Sequence, residues 1–167
     1  SLSTPGMNGR PIPGAAETWT ISDDGKTYLF KLRPNSRWSD GKPLTAADWV
    51  WSFQRMLDPA TAFPLASRLF PIRNARAVAT GVKPPTELGV SAPDARTVRI
   101  DLENPAPYLV DSMMAAAMPV PRHVIEKYGA AWVRPENFVS NGPFVLEEWR
   151  PNAYVRLRRN ANFWAAD

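Results

Sequence analysis

The amino-acid sequence predicts an α+β fold in which antiparallel hairpins pack with about four short helices. Three stretches place apolar residues at a spacing of two on both sides of a turn, which is the pattern of β-hairpins. The stretches between these hairpins carry apolar residues at helical spacing instead. Single strands do not alternate with crossover helices, so antiparallel sheets are favoured over a parallel one.

The first hairpin turns at Asp24-Gly25, a dipeptide that favours tight turns between antiparallel strands. The apolar residues that alternate on its two arms are Trp19, Ile21, Tyr28, Phe30 and Leu32. Because alternate residues of a strand point to the same side, one face of this ribbon is expected to cover a core.

A helix is predicted after a second Asp-Gly turn at Asp40-Gly41. Thr45 is suited to its N-cap, and Asp48 stands three residues later, where a capping box carries Glu or Gln. The helix ends near Asp58, because Pro59 disfavours the helical conformation at the residue before it. Its apolar face consists of Trp49, Val50, Phe53, Met56 and Leu57.

The remaining elements continue the mixture of hairpins and helices. A second hairpin turns at residues 93–95 and a third at Pro151-Asn152. A short helix is predicted within Ala60 to Phe70, with Pro64 in its first turn. Further helices are predicted from about Pro107 to Ala117 and from Pro121 to just before Gly129. The last of these combines a proline at its start with a glycine at its end, an asymmetry typical of helices.

The composition is that of a globular domain without covalent cross-links. The chain has 167 residues, of which 44% are hydrophobic and 22% charged, enough for one domain with a real core. Cysteine is absent, which excludes disulfides, zinc thiolates and thiol catalysis. No run approaches the roughly 20 apolar residues that a membrane-spanning helix requires.

The net charge of +4 is small and does not predict a nucleic-acid partner. The densest basic run contains Arg150, Arg156, Arg158 and Arg159. Its arginines alternate with apolar residues, which is typical of the outer face of an amphipathic strand. The sequence therefore favours neither a nucleic-acid module nor an anionic membrane as partner.

No constellation of residues indicates an enzyme, a cofactor or a metal site. His123 is the only histidine, and no nucleophile elbow accompanies it. Asp23-Asp24 lies in a hairpin turn that favours Asp for backbone reasons, and Glu147-Glu148 straddles both faces of a strand. The other carboxylates are dispersed, and a phosphate-binding glycine loop is missing. The residues therefore give an enzyme no positive support.

Residues 23–52, DDGKTYLFKLRPNSRWSDGKPLTAADWVWS, resemble the signature region of the extracellular solute-binding proteins that include oligopeptide- and dipeptide-binding proteins. The resemblance continues in order through MLDPATAFPLAS at residues 56–67, NGPF at 141–144 and NFW at 162–164. It covers nearly the whole chain. The resemblance depends on the order and spacing of many positions and not on any single dipeptide.

The resemblance implies a periplasmic or membrane-tethered receptor that captures a peptide in a cleft and delivers it to the membrane subunits of an ATP-driven importer. Complete members of the family are longer, with two lobes and a smaller accessory domain. Residues 15–145 would be the accessory domain, and residues 146–167 strands that return toward the first lobe. Residues 1–14 are proline- and glycine-rich and are expected to form an irregular leading segment. Both ends look cut, so a piece of a longer protein is expected.

The resemblance also implies ligand-binding residues. In the oligopeptide branch an aromatic residue after the proline of the Phe63-Pro64-Leu65 motif faces the peptide, whereas this chain has Leu65. Phe63 and Leu65 are therefore expected to line a side-chain pocket by van der Waals contact. Backbone groups at Asn141 and Gly142 are a second expected contact. The chain alone is not expected to bind peptide.

Two other interpretations stay open at this point. The chain could be a free-standing structural or interaction domain. It could also belong to a family member that binds another solute, such as a nickel complex, an opine or a sugar.

Overall fold

The computed structural model describes residues 1–111 and 117–166, which form antiparallel strands and short helices. The strands are β1 (Ser3–Pro5), β2 (Pro11–Pro13), β3 (Ala16–Ile21), β4 (Thr27–Leu32), β5 (Val90–Asp94), β6 (Thr97–Asp101), β7 (Phe144–Arg150) and β8 (Tyr154–Arg159). The α-helices are α1 (Ala46–Leu57), α2 (Ala75–Ala79) and α3 (Arg122–Tyr128). Short 3₁₀ helices lie at Pro59–Thr61, Ala66–Leu69, Pro85–Glu87, Gly129–Val133 and Pro135–Asn137. The predicted α+β class is confirmed.

The chain divides into two compact units. The first unit comprises Ser1–Arg33 and Thr45–Pro119, and the second comprises Pro34–Leu44 and the chain from Val120 onward. Within residues 1–111 and 117–166, no helix has both the length and the apolar character that a membrane crossing requires.

A four-stranded antiparallel sheet forms the centre of the first unit, with the strand order β3, β4, β6, β5. The two predicted hairpins, β3 with β4 and β5 with β6, are confirmed. They join through the pairing of β4 with β6, in which Phe30 stands opposite Val98 and Tyr28 opposite Ile100. These four side chains are at most 1% exposed, so the inner face of the sheet is a dry core.

Helix α1 covers this sheet by packing against β5 and β6. Its first turn is held as the sequence predicts, because the Asp48 carboxylate accepts hydrogen bonds from the Thr45 backbone N–H and hydroxyl at 2.8 and 2.9 Å. It ends before Pro59, and Asp58 adopts an extended conformation. The predicted apolar face is buried at Trp49, Phe53, Met56 and Leu57, whereas Val50 is half-buried.

Three predicted stretches need a different description. Residues 1–14 are not irregular throughout, because β1 and β2 form a small antiparallel ribbon. Each strand of a two-stranded ribbon has one edge without a partner strand. A proline whose missing N–H would face that edge costs the ribbon no hydrogen bond. The short helix predicted within Ala60 to Phe70, with Pro64 in its first turn, forms only as the 3₁₀ helix Ala66–Leu69, and Ala62 adopts a left-handed conformation that separates it from the 3₁₀ helix Pro59–Thr61. The helix predicted from Pro107 to Ala117 includes residues 112–116, which lie outside the described residues.

The second unit contains the third predicted hairpin, β7 with β8, which is confirmed and carries a bulge between Leu146 and Glu148. Its two ends are joined by Asn160, whose side chain is almost fully buried. The Asn160 amide donates to the Gly142 carbonyl at 2.8 Å, and its backbone N–H donates to the Pro143 carbonyl at 2.9 Å. Helix α3 ends at Tyr128, directly before Gly129, as the glycine position predicts.

We expect the turn between β5 and β6 to make stability depend on pH. The Asp94 carboxylate accepts hydrogen bonds from the Thr97 hydroxyl, the Arg96 backbone N–H and the Lys31 ammonium, which lowers its pKa from 3.8 to about 2. A pKa that is lower in the folded state stabilises the fold above about pH 4, and this contribution is lost as the pH falls to about 2. Asp94→Asn should therefore lower the free energy of unfolding at pH 6, and its difference from wild type should shrink between pH 4 and pH 2.

Urea unfolding at several pH values measures this difference. Asp23→Asn, in the exposed turn after β3, serves as the control and should show a small effect at pH 6. A difference between Asp94→Asn and wild type that is equal at pH 2 and pH 6 would contradict the prediction.

The hydrogen bonds of Asn160 predict a second effect on stability. Asn160→Ala leaves the Gly142 carbonyl without its amide donor and should lower the free energy of unfolding by about 1–3 kcal/mol. Urea unfolding of the 167-residue chain measures the change, and Arg158→Gln on exposed β8 is the matched control. Equal urea midpoints for Asn160→Ala and wild type would show that this side chain does not hold the hairpin ends together.

Candidate functional site

Phe63 and Leu65 lie on a bent loop of the first unit, between the 3₁₀ helices at Pro59–Thr61 and Ala66–Leu69. The loop is held at both sides, because the Ala66 N–H donates to the Phe63 carbonyl at 3.1 Å and the Arg68 N–H to the Leu65 carbonyl at 3.0 Å. Phe63 is half-buried, whereas Leu65 is 36% exposed. The structure therefore presents one apolar side chain on a supported backbone, available for van der Waals contact.

Asn141 and Gly142 form a bend before β7 in the second unit. The Gly142 carbonyl accepts from the buried Asn160 amide, and the Gly142 N–H lies 3.4 Å from the Ser140 hydroxyl oxygen. Both backbone groups of Gly142 thus contact the protein itself, which indicates a structural role for this residue. Both residues are half-buried, and their role as ligand contacts remains a prediction.

A cavity of about 710 Å³ lies in the first unit and begins two residues after Leu65 along the chain. Its lining comes from two stretches, residues 67–77 and 103–108. The floor consists of Ile72, Ala75 and Ala106, which are at most 2% exposed. The walls and rim include Phe70, Pro71, Pro105, Arg68, Arg76, Glu103, Asn104 and Tyr108. Its volume is within the range of small-molecule sites.

The charged groups at this cavity are not equivalent. The Glu103 carboxylate accepts a hydrogen bond from the Asn74 backbone N–H at 2.8 Å. The Arg76 guanidinium lies over the Phe70 ring, 4.6 Å from its centroid. Arg68 adds a second guanidinium at the rim. The lining thus carries two guanidinium groups and one carboxylate, and this excess of positive charge favours an anion.

Sequence reasoning did not find this cavity, because its residues form no motif and belong to two segments that are separate in the chain. The only local signal is the aromatic residue at Phe70 between Arg68 and Arg76. That spacing by itself is typical of many solvated turns.

A smaller cleft of about 240 Å³ lies in the second unit and contains His123. The His123 Nε2 atom is 2.7 Å from the Asp40 Oδ2 atom, and the imidazole meets the Trp38 ring edge-on at 6.3 Å between centroids. His123 lies near the start of α3, and its side chain is 27% exposed. Among the described residues, no group of three or more His, Cys, Asp or Glu side chains is placed to hold a metal ion.

Comparisons with known proteins place this chain among binding proteins. Residues 10–167 match the family described as bacterial extracellular solute-binding proteins, family 5 Middle. The chain is 46% identical over 159 residues to the probable deoxycholate-binding periplasmic protein YgiS of Escherichia coli, covering 93% of this chain and 30% of that protein. It is 42% identical over 161 residues to the periplasmic oligopeptide-binding protein OppA of Salmonella typhimurium, covering 95% of this chain and 30% of that protein.

A solved structure shares the fold. The crystal structure of Haemophilus influenzae OppA in complex with RPPGFSPFR superposes with a TM-score of 0.91 at 41% identity, covering 99% of this chain and 33% of that chain. The chain therefore spans about a third of the length of the proteins that it matches. These relatives are solute-binding proteins and not enzymes. The chain belongs to family 5 of the bacterial extracellular solute-binding proteins.

Proposed function

We propose that this chain supplies one part of a periplasmic receptor that captures peptides and delivers them to an ABC-type importer. The supporting observation is that nearly the whole chain matches OppA proteins, named as oligopeptide-binding, at 41–42% identity and with the same fold. The membrane subunits of the importer would be the second partner of the whole receptor. Binding, without covalent chemistry, is the activity.

The Phe63 to Leu65 loop fits this function as an apolar wall. Leu65 offers an aliphatic surface without a hydrogen-bonding group, so it would accept varied peptide side chains with little selectivity. Recognition of the peptide main chain would then come from other parts of the receptor. Since Leu65 is 36% exposed in this chain, it contributes one wall and not an enclosed pocket.

A second candidate function is the capture of a non-peptide solute. The relative with 46% identity is named as a probable deoxycholate-binding protein, so similarity at this level does not separate peptides from amphipathic anions. Leu65, without an aromatic ring or hydroxyl group, would suit either ligand. Competition between deoxycholate and peptides on the complete receptor would discriminate the two functions.

The 167-residue chain alone is expected to bind no peptide at micromolar affinity. Binding costs translational and rotational entropy, which favourable contacts have to offset. A single exposed wall buries too little of the peptide surface to offset that cost. Isothermal titration calorimetry with a mixed pool of di- to pentapeptides measures this directly. A clear saturable heat with the chain alone would overturn the prediction, and the complete receptor with the same pool is the positive control.

Leu65 should matter to ligand binding in the complete receptor. Leu65→Asp places a charge on the proposed apolar wall and should weaken peptide binding about tenfold or more, because the carboxylate is desolvated on contact. Leu29→Asp is the matched control, since Leu29 lies in the same unit, on the outer face of the sheet, and is 38% exposed. Equal peptide affinities for the Leu65→Asp and Leu29→Asp receptors would exclude Leu65 from the site.

A further inference from the structure

We propose that the 710 Å³ cavity of the first unit is a separate binding site for a small amphipathic carboxylate. The guanidinium groups of Arg68 and Arg76 would face the ligand's carboxylate, and the accessible side chains of Phe70, Pro71 and Pro105 would face its apolar body. This site goes beyond the proposed peptide function, because its lining comes from residues 67–77 and 103–108 of one unit. It needs no other part of a receptor.

The two stretches that line the cavity are fixed to each other, which makes the site preorganised. Ile72 pairs with Leu102 in an antiparallel bridge. The Arg73 N–H donates to the Asp101 carbonyl at 2.9 Å, and the Glu103 N–H donates to the Pro71 carbonyl at 3.0 Å. These two backbone stretches are therefore already ordered before a ligand binds. Binding then costs less conformational entropy, which strengthens it.

The apolar surface of the cavity that a ligand can reach lies above its floor. The floor residues Ile72, Ala75 and Ala106 are at most 2% exposed, so they add little surface that a ligand could cover. Phe70 and Pro71 are half-buried and Pro105 is exposed, and these three residues line the cavity with apolar atoms that water can reach. A ligand with a rigid hydrocarbon body would remove this surface from water, and burial of apolar area is the main favourable term in such binding.

The rim selects the charge of the ligand. Neither Arg68 nor Arg76 forms an ion pair with a carboxylate among residues 1–111 and 117–166. Glu103, the acidic residue of the lining, already accepts from the Asn74 N–H. The Phe70 ring stacks against one face of the Arg76 guanidinium. The N–H groups of the guanidinium point outward in its own plane, so this stacking does not block them. A planar fork of this kind pairs bidentately with a carboxylate.

Calorimetric titration of the 167-residue chain with deoxycholate, below its micelle concentration, tests the site. Deoxycholate is a suitable probe because it joins one carboxylate to a rigid apolar ring system. We expect saturable binding, and about tenfold weaker binding of its methyl ester, which lacks the charge. Backbone amide shifts in NMR spectra should move at residues 67–77 and 103–108.

Three variants decide whether the cavity is the site. Arg76→Gln should weaken deoxycholate binding about tenfold and leave the affinity for the methyl ester nearly unchanged. Ser67→Trp, which fills the mouth from an exposed position, should abolish binding of both compounds. Arg10→Gln, an exposed arginine of the same unit outside the cavity, is the matched control and should bind like wild type.

Either of two results would overturn the proposal. One is that deoxycholate shows no saturable binding to the folded wild-type chain. The other is that deoxycholate and its methyl ester bind with equal affinity. Wild-type affinity in both Arg76→Gln and Ser67→Trp would place any binding elsewhere. Circular dichroism of each variant verifies folding. Peptide binding by the complete receptor is measured separately, so the failure of either proposal is distinguishable from the failure of the other.

Discussion

The pairing of β4 with β6 is the interaction on which the first unit depends. It joins two hairpins that are formed from distant parts of the chain, and it places Tyr28, Phe30, Val98 and Ile100 on one inner face. Helix α1 closes that face with Trp49 and Phe53, both fully buried. An isolated two-stranded hairpin is at best marginally stable in water, so neither hairpin would keep its form without this shared face.

The same pairing positions the cavity. Strand β6 is followed directly by residues 103–108, and the bridge from Ile72 to Leu102 brings residues 67–77 beside them. The Tyr28 hydroxyl adds to this connection by donating to the Ala106 carbonyl at 3.1 Å, and burial raises the pKa of the phenol, so it remains a donor. Stable core strands thus carry the loops that offer binding surface, which is the usual division between scaffold and site.

The residues that reveal the family are mainly residues of the scaffold. In the signature region, Asp24 and Gly25 form the β3–β4 turn, Thr45 and Asp48 begin α1, and Trp49 is buried in the core. A binding protein has no catalytic constellation for a sequence to display, and its contacts are spread over loops. The sequence therefore reveals the family through its scaffold, whereas the Phe63-Pro64-Leu65 motif indicates only candidate contacts and no motif indicates the cavity.

The sequence by itself determined the three hairpins, the extent of α1 and the absence of cysteine chemistry, because turn dipeptides, caps and apolar spacing act within a few residues. Only the tertiary structure decided the β4–β6 pairing, the break at Ala62, the tie from Asn160 to Gly142 and the cavity between residues 67–77 and 103–108. Each of these depends on groups that are distant in the chain or on a backbone conformation unusual for its residue. Local patterns report short-range preferences, whereas the burial of apolar surface and of polar groups is settled by the whole fold.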